Sequence, residues 1–302
     1  MKDRSKGFTT KLVESPDSQI EVQSLEGTTG KLNLTIVACV PALAWITTRI
    51  SAALKSISVM QLPGYGKSVI NKARSALNLD SYLSAIESVN QSAKGPETVL
   101  YGYSHGGYFT AQYALRNPDS VRALILVEPA LYTPHADLLE RARLVQEGKS
   151  LDSMQNMLNF VGHQEDSSPS QVAAELLTHV NEESALAREY LIRAESPVTD
   201  EDLARLSMPV LLIAGTRSPV SGMVKRAFQA IPHASVCWIE GASHLDLEKP
   251  EFAGAIASAI GEFLQRIDKG SHSGGFTGWL SGLGATGSVA AELREEEREL
   301  AA

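Results

Sequence analysis

The composition of the chain indicates one domain-sized globular unit and argues against several classes of partner. Of its 302 residues, 43% are hydrophobic and 21% are charged, which is enough apolar material to bury one large core. Acidic residues outnumber basic ones by 35 to 27, and the net charge of −8 argues against nucleic acid or an anionic membrane surface as a partner. No apolar run approaches the roughly 18 residues of a membrane span, and no apolar signal segment stands at the start, so we expect a cytoplasmic protein.

Eight apolar or β-rich segments predict the strands of one sheet. In chain order they are residues 8–14, 19–25, 32–40, 56–62, 97–101, 121–127, 209–214 and 234–239. A Pro-Asp turn joins the first two, which favours an antiparallel hairpin, whereas the later segments are continuous apolar runs typical of parallel strands buried on both faces. Helical segments at 81–93, 107–117, 220–230 and 251–267 accompany them. The pattern predicts an α/β fold with a mostly parallel, eight-stranded sheet flanked by helices.

The strand pattern is interrupted at residues 132–205, where helices are predicted instead. The helical segments are 136–147, 151–160, 169–180 and 183–194, and they carry more apolar side chains than solvated helices need, among them Met154, Met157 and Leu158. A helical cap over the carboxyl ends of the strands, where ligands bind in α/β sheets, would bury these side chains. A helical satellite packed on itself would bury them too. We therefore predict a core of residues 1–131 and 206–267 with an inserted cap at 132–205.

The composition changes again at residues 268–302. The first part is rich in Gly, Ser and Thr and predicts a flexible linker, and the second is a charged segment that can pair its own side chains as a short helix. We expect a solvated tail here. The alternative is a short docking segment that uses Trp279 and Leu283.

The motif at residues 102–106, Gly-Tyr-Ser-His-Gly, is the strongest chemical signal in the chain. It lies between a predicted strand and a predicted helix, which is the setting of a nucleophile elbow around Ser104. Such a sharp turn exposes the serine hydroxyl, and glycines two residues to either side avoid the clashes that a Cβ would make. The following helix directs free backbone N–H groups toward the place where an oxyanion would develop. The alternative is an ordinary glycine-rich turn of a doubly wound fold.

Together these residues resemble the α/β-hydrolase superfamily over about residues 7–267. The segments that carry the resemblance are 62–68, 102–107, 209–215 and 241–244. The resemblance implies a Ser-His-acid triad under a cap, in the chain order nucleophile, acid, histidine. It implies His244 as the general base, because this residue follows the last predicted strand of the core, where the family places its catalytic imidazole. It does not imply one substrate, because the fold hosts many chemistries.

The triad acid departs from the family pattern, because Ser218 stands where many relatives have the triad aspartate. A serine cannot stabilise an imidazolium by charge. Glu128, at the end of the preceding strand, is the first replacement, because some members of the superfamily take their acid from that position. Its alternative role is that of a structural carboxylate. Asp246, two residues after the histidine, is a second candidate acid.

The oxyanion hole also departs from the family pattern. The segment after the third strand is Ala-Cys-Val-Pro-Ala at 38–42, without the usual His-Gly pair. We predict the backbone N–H groups of Val40 and His105 as the donors, since a backbone donor does not depend on its side chain. No cofactor is expected, because no Cys/His cluster has metal-ligand spacing and no Gly-x-Gly-x-x-Gly motif follows a strand.

These observations predict a cofactor-independent serine hydrolase. Its substrate would be a small molecule, an ester, thioester or lactone with a largely apolar acyl part. Two alternatives remain open: a binding or receptor-like protein that keeps the pocket without turnover, and an acyltransferase, cyclase or lyase. The oligomeric state does not follow from the sequence.

Overall fold

One mixed β-sheet with helices on both faces forms the frame of the protein. The computed structural model describes residues 8–26, 30–38, 54–71, 77–93, 97–162, 168–269 and 277–281. In these residues the strands are β1 (Thr9–Ser15), β2 (Ser18–Glu26), β3 (Leu32–Ala38), β4 (Leu54–Gln61), β5 (Val69–Ile70), β6 (Thr98–Tyr103), β7 (Ala123–Val127), β8 (Val210–Gly215), β9 (Ala234–Glu240) and β10 (Thr277–Ser281). The strand order is β1-β2-β4-β3-β6-β7-β8-β9-β10, with β5 paired to β2.

Strand direction divides the sheet into two parts. The hairpin β1-β2 and the pairs that β2 makes with β4 and β5 are antiparallel. From β4 through β3, β6, β7, β8 and β9 to β10, every neighbouring pair is parallel. The predicted α/β class with a mostly parallel sheet is confirmed.

Two short strands enlarge the sheet beyond the eight that were predicted. The strand β5 has two residues, too few for an alternating pattern to be visible in sequence. The strand β10 lies within the predicted linker and pairs in parallel with β9. Residues 277–281 of the predicted flexible linker thus form a strand, which the sequence did not indicate because backbone hydrogen bonds to a free sheet edge need no apolar signature. The charged end of the tail lies outside the described residues.

Helices connect most of the strands. They are α1 (Leu79–Ser92), α2 (His105–Arg116), α3 (His135–Gln146), α4 (Ser150–Phe160), α5 (Pro169–Leu177), α6 (Glu183–Glu195), α7 (Asp200–Leu203), α8 (Ser221–Ala230) and α9 (Ala253–Asp268). The start of α1 is fixed by a capping box, in which the Asn78 side chain accepts a hydrogen bond from Ser81 N at 3.1 Å. In α5, Ser168 caps the first turn and Pro169 follows as its first residue.

The sheet is buried on both faces, as parallel strands require. In β7 the side chains alternate: Leu124 and Leu126 join the apolar cluster that contains Tyr82 of α1 and Phe109 of α2. On the other face, Ile125 belongs to the cluster built on α9. This period of two places β7 between two apolar layers. The segment that follows Val127 lies at the carboxyl edge of the sheet.

Helices α3 to α6 form a separate apolar cluster between β7 and β8. Leu158 and Tyr190 are fully buried in it. The insertion also joins the loop after β4, since Asn181 N donates to Gly64 O and Gly66 N donates to His179 O, both at 2.9 Å. Among the helices of the described residues, none has the length and apolar character needed to cross a membrane.

Candidate active site

Ser104 occupies the turn between β6 and α2. Its φ of 50° lies in a region that costs a non-glycine residue about 1–3 kcal/mol, a strain that recurs at functional turns. The close approach of the chain explains the flanking glycines. A Cβ on Gly102 would lie 2.6 Å from Gly106 O, and a Cβ on Gly106 would lie 2.2 Å from Val37 O. The motif thus has the geometry expected of a nucleophile elbow rather than that of an ordinary turn.

His244 contacts the serine, and Glu128 contacts His244 on the other side of the imidazole ring. His244 Nε2 lies 3.3 Å from Ser104 Oγ, and His244 Nδ1 lies 2.5 Å from Glu128 Oε2. The histidine is 3% exposed and the glutamate 1%, so solvent barely screens the pair. When Nδ1 donates to the carboxylate, Nε2 carries the lone pair and faces the hydroxyl. This is the arrangement that lets an imidazole take a proton from serine.

Glu128 is held by the backbone and by the residue that replaces the expected aspartate. It follows β7 with a φ of 38°. Its Oε1 accepts a hydrogen bond from Gly215 N at 2.7 Å, and its Oε2 accepts one from Ser218 Oγ at 2.8 Å. Ser218 therefore orients the Glu128 carboxylate, which takes the place of the aspartate that many relatives have at the position of Ser218. The sequence showed the substitution but not this contact, which depends on β7 and β8 lying side by side.

Asp246 does not contact the imidazole in this structure. Its Oδ2 accepts a hydrogen bond from Ser243 N at 2.7 Å, and Lys249 Nζ lies 2.8 Å from Oδ1. Burial opposes its ionisation, but the contacts with Lys249 and Ser243 lower its pKa below the ordinary value. Its alternative role as triad acid is not supported, because its carboxylate stabilises the 3₁₀ turn at Leu245–Glu248 instead.

Tyr103 holds His244 through a hydrogen bond and a ring contact, a role that no sequence motif indicated. Its hydroxyl donates to His244 O at 2.7 Å, and its ring stacks on the imidazole with centroids 5.0 Å apart. Burial, with a smaller effect of Glu248, raises the pKa of Tyr103 well above its ordinary value, so the phenol stays a neutral donor. Its position directly before the nucleophile was the only available signal.

The predicted oxyanion donors are described in part. His105 begins α2, where backbone N–H groups have no partner within the helix and the helix dipole favours negative charge. Its side chain contacts α6, with Nδ1 2.8 Å from Oε1 of the buried Glu189. Glu189 Oε2 also accepts a hydrogen bond from Tyr65 Oη at 2.6 Å. Val40 lies outside the described residues, two positions beyond the end of β3, and its role stays a prediction.

Two cavities meet at Ser104 and His244. The larger comprises about 720 Å³ of space free of protein atoms, part of it open to solvent. Its wall is mainly apolar and draws on both the core and the insertion, with Met154, Met157, Leu176, Val180, Leu186 and Leu245 among its members. The smaller comprises about 330 Å³, also partly open to solvent, and is lined by more polar side chains, among them Arg141, Arg193 and Thr133.

One carboxyl group lines the larger cavity. Burial raises the pKa of Glu248 to about 7. Near neutral pH this residue therefore exchanges between a neutral form suited to an apolar wall and a charged form.

Comparison with known proteins places the fold in a family. Residues 56–250 match the α/β hydrolase fold family. Two curated relatives, the (lyso)-N-acylphosphatidylethanolamine lipases of Bos taurus and Homo sapiens, are 38% identical over 50 residues and 30% identical over 92 residues. These segments cover 17% and 28% of this chain, but only 15% and 26% of those two proteins.

A solved structure agrees with the family match over most of the chain. The esterase EaEST from Exiguobacterium antarcticum superposes with a TM-score of 0.70, covering 85% of this chain and 100% of the esterase at 13% sequence identity. A likeness at that identity shows the fold, and the family match covers more than half of the sequence. The chain therefore belongs to the α/β-hydrolase family of enzymes.

Proposed function

We propose that the protein is a serine hydrolase that cleaves an ester, thioester or lactone with a largely apolar acyl part. The observation that carries the proposal is the continuous series of contacts from Glu128 through His244 to Ser104. The strained serine, the buried base and the buried acid are the three parts of a charge-stabilised nucleophile. We assign the role of nucleophile to Ser104, that of general base to His244 and that of orienting acid to Glu128.

The reaction follows from the roles of the three groups. Ser104 Oγ attacks the carbonyl carbon while His244 Nε2 takes the hydroxyl proton. The negative oxygen is stabilised by the His105 N–H and by the second donor expected at Val40. The same imidazolium returns its proton to the leaving group, and water then releases the acid from the acyl-serine by the reverse sequence. Glu128 stabilises the imidazolium throughout without taking its proton.

The preference for an apolar acyl part is drawn from the larger cavity. Eight of its lining side chains are aliphatic or thioether groups, and burial of each methylene of a substrate there contributes about 0.8 kcal/mol. We further propose that residues 132–205 act as a cap, because this insertion supplies five of those eight side chains: Met154, Met157, Leu176, Val180 and Leu186. The lipases and the esterase similar to this chain carry names consistent with an ester substrate.

Two departures from the family pattern suggested the non-hydrolytic alternative: the missing aspartate and the missing His-Gly pair. The contact between Glu128 and His244 weighs against the first, because a carboxylate lies where the imidazole needs one. Acyl transfer or cyclisation would use the same three residues, and differs only in the nucleophile that accepts the acyl group.

The direct test is hydrolysis of a p-nitrophenyl ester series from acetate to decanoate. We expect turnover by the wild-type protein, an optimum beyond acetate, and a loss of at least about 10⁴-fold in kcat for Ser104→Ala. Ser120→Ala is the matched control, since Ser120 is exposed and remote from the cavities. Equal hydrolysis by Ser104→Ala and Ser120→Ala would overturn the proposal. A flat response to chain length in the wild type would contradict only the apolar preference.

A further inference from the structure

The smaller cavity differs from the larger, apolar one because two buried arginines line it. Arg141 on α3 is 1% exposed and Arg193 on α6 is 2% exposed. Both come from the insertion, and Ser104 and His244 line the same cavity. The two guanidinium groups therefore lie in the same enclosure as the reacting atoms.

Several N–H groups of the two arginines have no acceptor within the described residues. Arg141 Nε donates to Asn156 Oδ1 at 2.9 Å, but its Nη2 is buried without a hydrogen bond. Arg193 Nη2 donates to Thr133 Oγ1 at 2.7 Å, while Nε and Nη1 are buried without one. Buried donors are nearly always paired, and leaving a charged one unpaired is among the more destabilising defects in a protein interior.

The nearby carboxylates do not satisfy these donors. Both oxygens of Glu128 are already engaged by Gly215, Ser218 and His244. Glu189 approaches Arg193, but its Oε1 lies 3.8 Å from Nη1, beyond hydrogen-bond distance.

Arg141 is the less compensated of the two arginines. No carboxylate oxygen in the described part of the chain forms an ion pair with it, and its guanidinium stacks over the Phe160 ring at 5.1 Å. A buried guanidinium requires an anionic or hydrogen-bonding partner. A ligand that enters the smaller cavity can supply that partner.

We propose that the smaller cavity binds a carboxylate that belongs to the substrate. A carboxylate has two coplanar acceptor oxygens, which match the forked donors of a guanidinium better than a single carbonyl oxygen does. The inference rests on the proposed hydrolytic function and narrows its substrate. Because both cavities meet at Ser104, the substrate carries an apolar group on one side of the scissile carbonyl and a carboxylate a few bonds away on the other. An ester of an apolar fatty acid with a short hydroxycarboxylic acid has this form and keeps the acyl part apolar.

The test measures binding rather than turnover, so it does not depend on the chemistry at Ser104. The Ser104→Ala protein is titrated with 3-(hexanoyloxy)propanoate and with its neutral counterpart, methyl 3-(hexanoyloxy)propanoate, by calorimetry at pH 7.5. We expect the anionic ester to bind at least about tenfold more tightly, since hydrogen bonds between charged partners are the stronger ones. Equal affinities would overturn the proposal without any arginine variant.

Arginine variants in the same background locate the preference. Arg141→Met should reduce the affinity ratio to within about twofold, and Arg141→Lys should leave an intermediate ratio because the charge stays but the fork is lost. Arg143→Met on the same helix is the control and should keep the full ratio, because Arg143 is exposed and pairs with Glu140. A preference that survives in a folded Arg141→Met protein would overturn the assignment. Hydrolysis of neutral esters by the wild type, measured separately, distinguishes this failure from failure of the hydrolase proposal.

Discussion

Replacing Glu128 by glutamine removes a charge while keeping the shape of the side chain. Two donors face Oε2, the Ser218 hydroxyl at 2.8 Å and His244 Nδ1 at 2.5 Å, and Gly215 N faces Oε1 at 2.7 Å. If the amide oxygen faces the imidazole, the NH₂ group opposes Gly215 N–H and two donors meet. If the NH₂ group faces the imidazole, Nδ1 must accept, and the proton then sits on Nε2, where it prevents His244 from receiving the proton of Ser104.

Both orientations predict a large loss of kcat with little change in KM. Loss of the carboxylate behind a catalytic imidazole lowers kcat by about 10⁴-fold in the triads where it has been measured. Since each factor of ten corresponds to 1.36 kcal/mol, this is about 5.4 kcal/mol of activation free energy. The opposed donors add about 1–3 kcal/mol of lost stability, which corresponds to a Tm lower by a few degrees in a domain of this size.

The assay is the kinetics of p-nitrophenyl butyrate hydrolysis, with Tm measured on the same samples. Asp246→Asn is the matched control, because it makes the same chemical change two residues from His244 in a carboxylate that contacts Ser243 and Lys249 instead. We expect the control to retain kcat within about tenfold. If a folded Glu128→Gln protein also stayed within tenfold of wild type, the imidazole would not depend on this carboxylate and the assignment of the acid would fail.

Three further predictions concern the frame around the site. Gly106→Ala places a Cβ 2.2 Å from Val37 O, so Tm should fall sharply, and an unchanged Tm would show that the elbow is not tightly packed. Removal of residues 270–302 should leave kcat unchanged but lower Tm, since it strips β10 from the edge of β9, and an equal Tm would show that this pairing adds nothing. Burial raises the pKa of Glu248 to about 7 from 4.5, so the folded state binds the extra proton and stability should fall as pH rises from about 4.5 to 7. Tm against pH should be flatter in that window for Glu248→Gln, and parallel curves for the two proteins would contradict the assigned burial.

The sheet was predictable because its strands are long apolar runs with a simple period. The predicted segment 121–127 contains β7, and 209–214 overlaps β8 with a shift of one residue. Such runs are specified by burial on both faces, which sequence shows directly. The strand β10 was not predictable because it depends on the free edge of β9, a feature of the folded sheet rather than of residues 277–281.

In the site, too, features set by the local sequence were predictable and features set by the folded arrangement were not. Ser104 carries a local motif, so the elbow was visible in sequence. The contacts of Gly102 are local, whereas the one that excludes a side chain at Gly106 comes from Val37 of β3. The choice between Glu128 and Asp246 depended on which loop lies beside the imidazole, and only the three-dimensional arrangement distinguishes them. No sequence pattern indicated that Arg141 and Arg193 line the same cavity, because α3 and α6 are brought together only by the packing of the insertion.

The central claim is that Ser104 is a nucleophile activated by His244, and reaction with a fluorophosphonate followed by intact-mass measurement tests it most directly. Such a reagent phosphonylates an activated serine and leaves unactivated surface hydroxyls alone. We predict a single adduct on the wild-type protein, none on Ser104→Ala, and much slower labelling of Glu128→Gln. A wild-type protein that stays unlabelled, or a Ser104→Ala protein that is labelled as fast as wild type, would contradict the account.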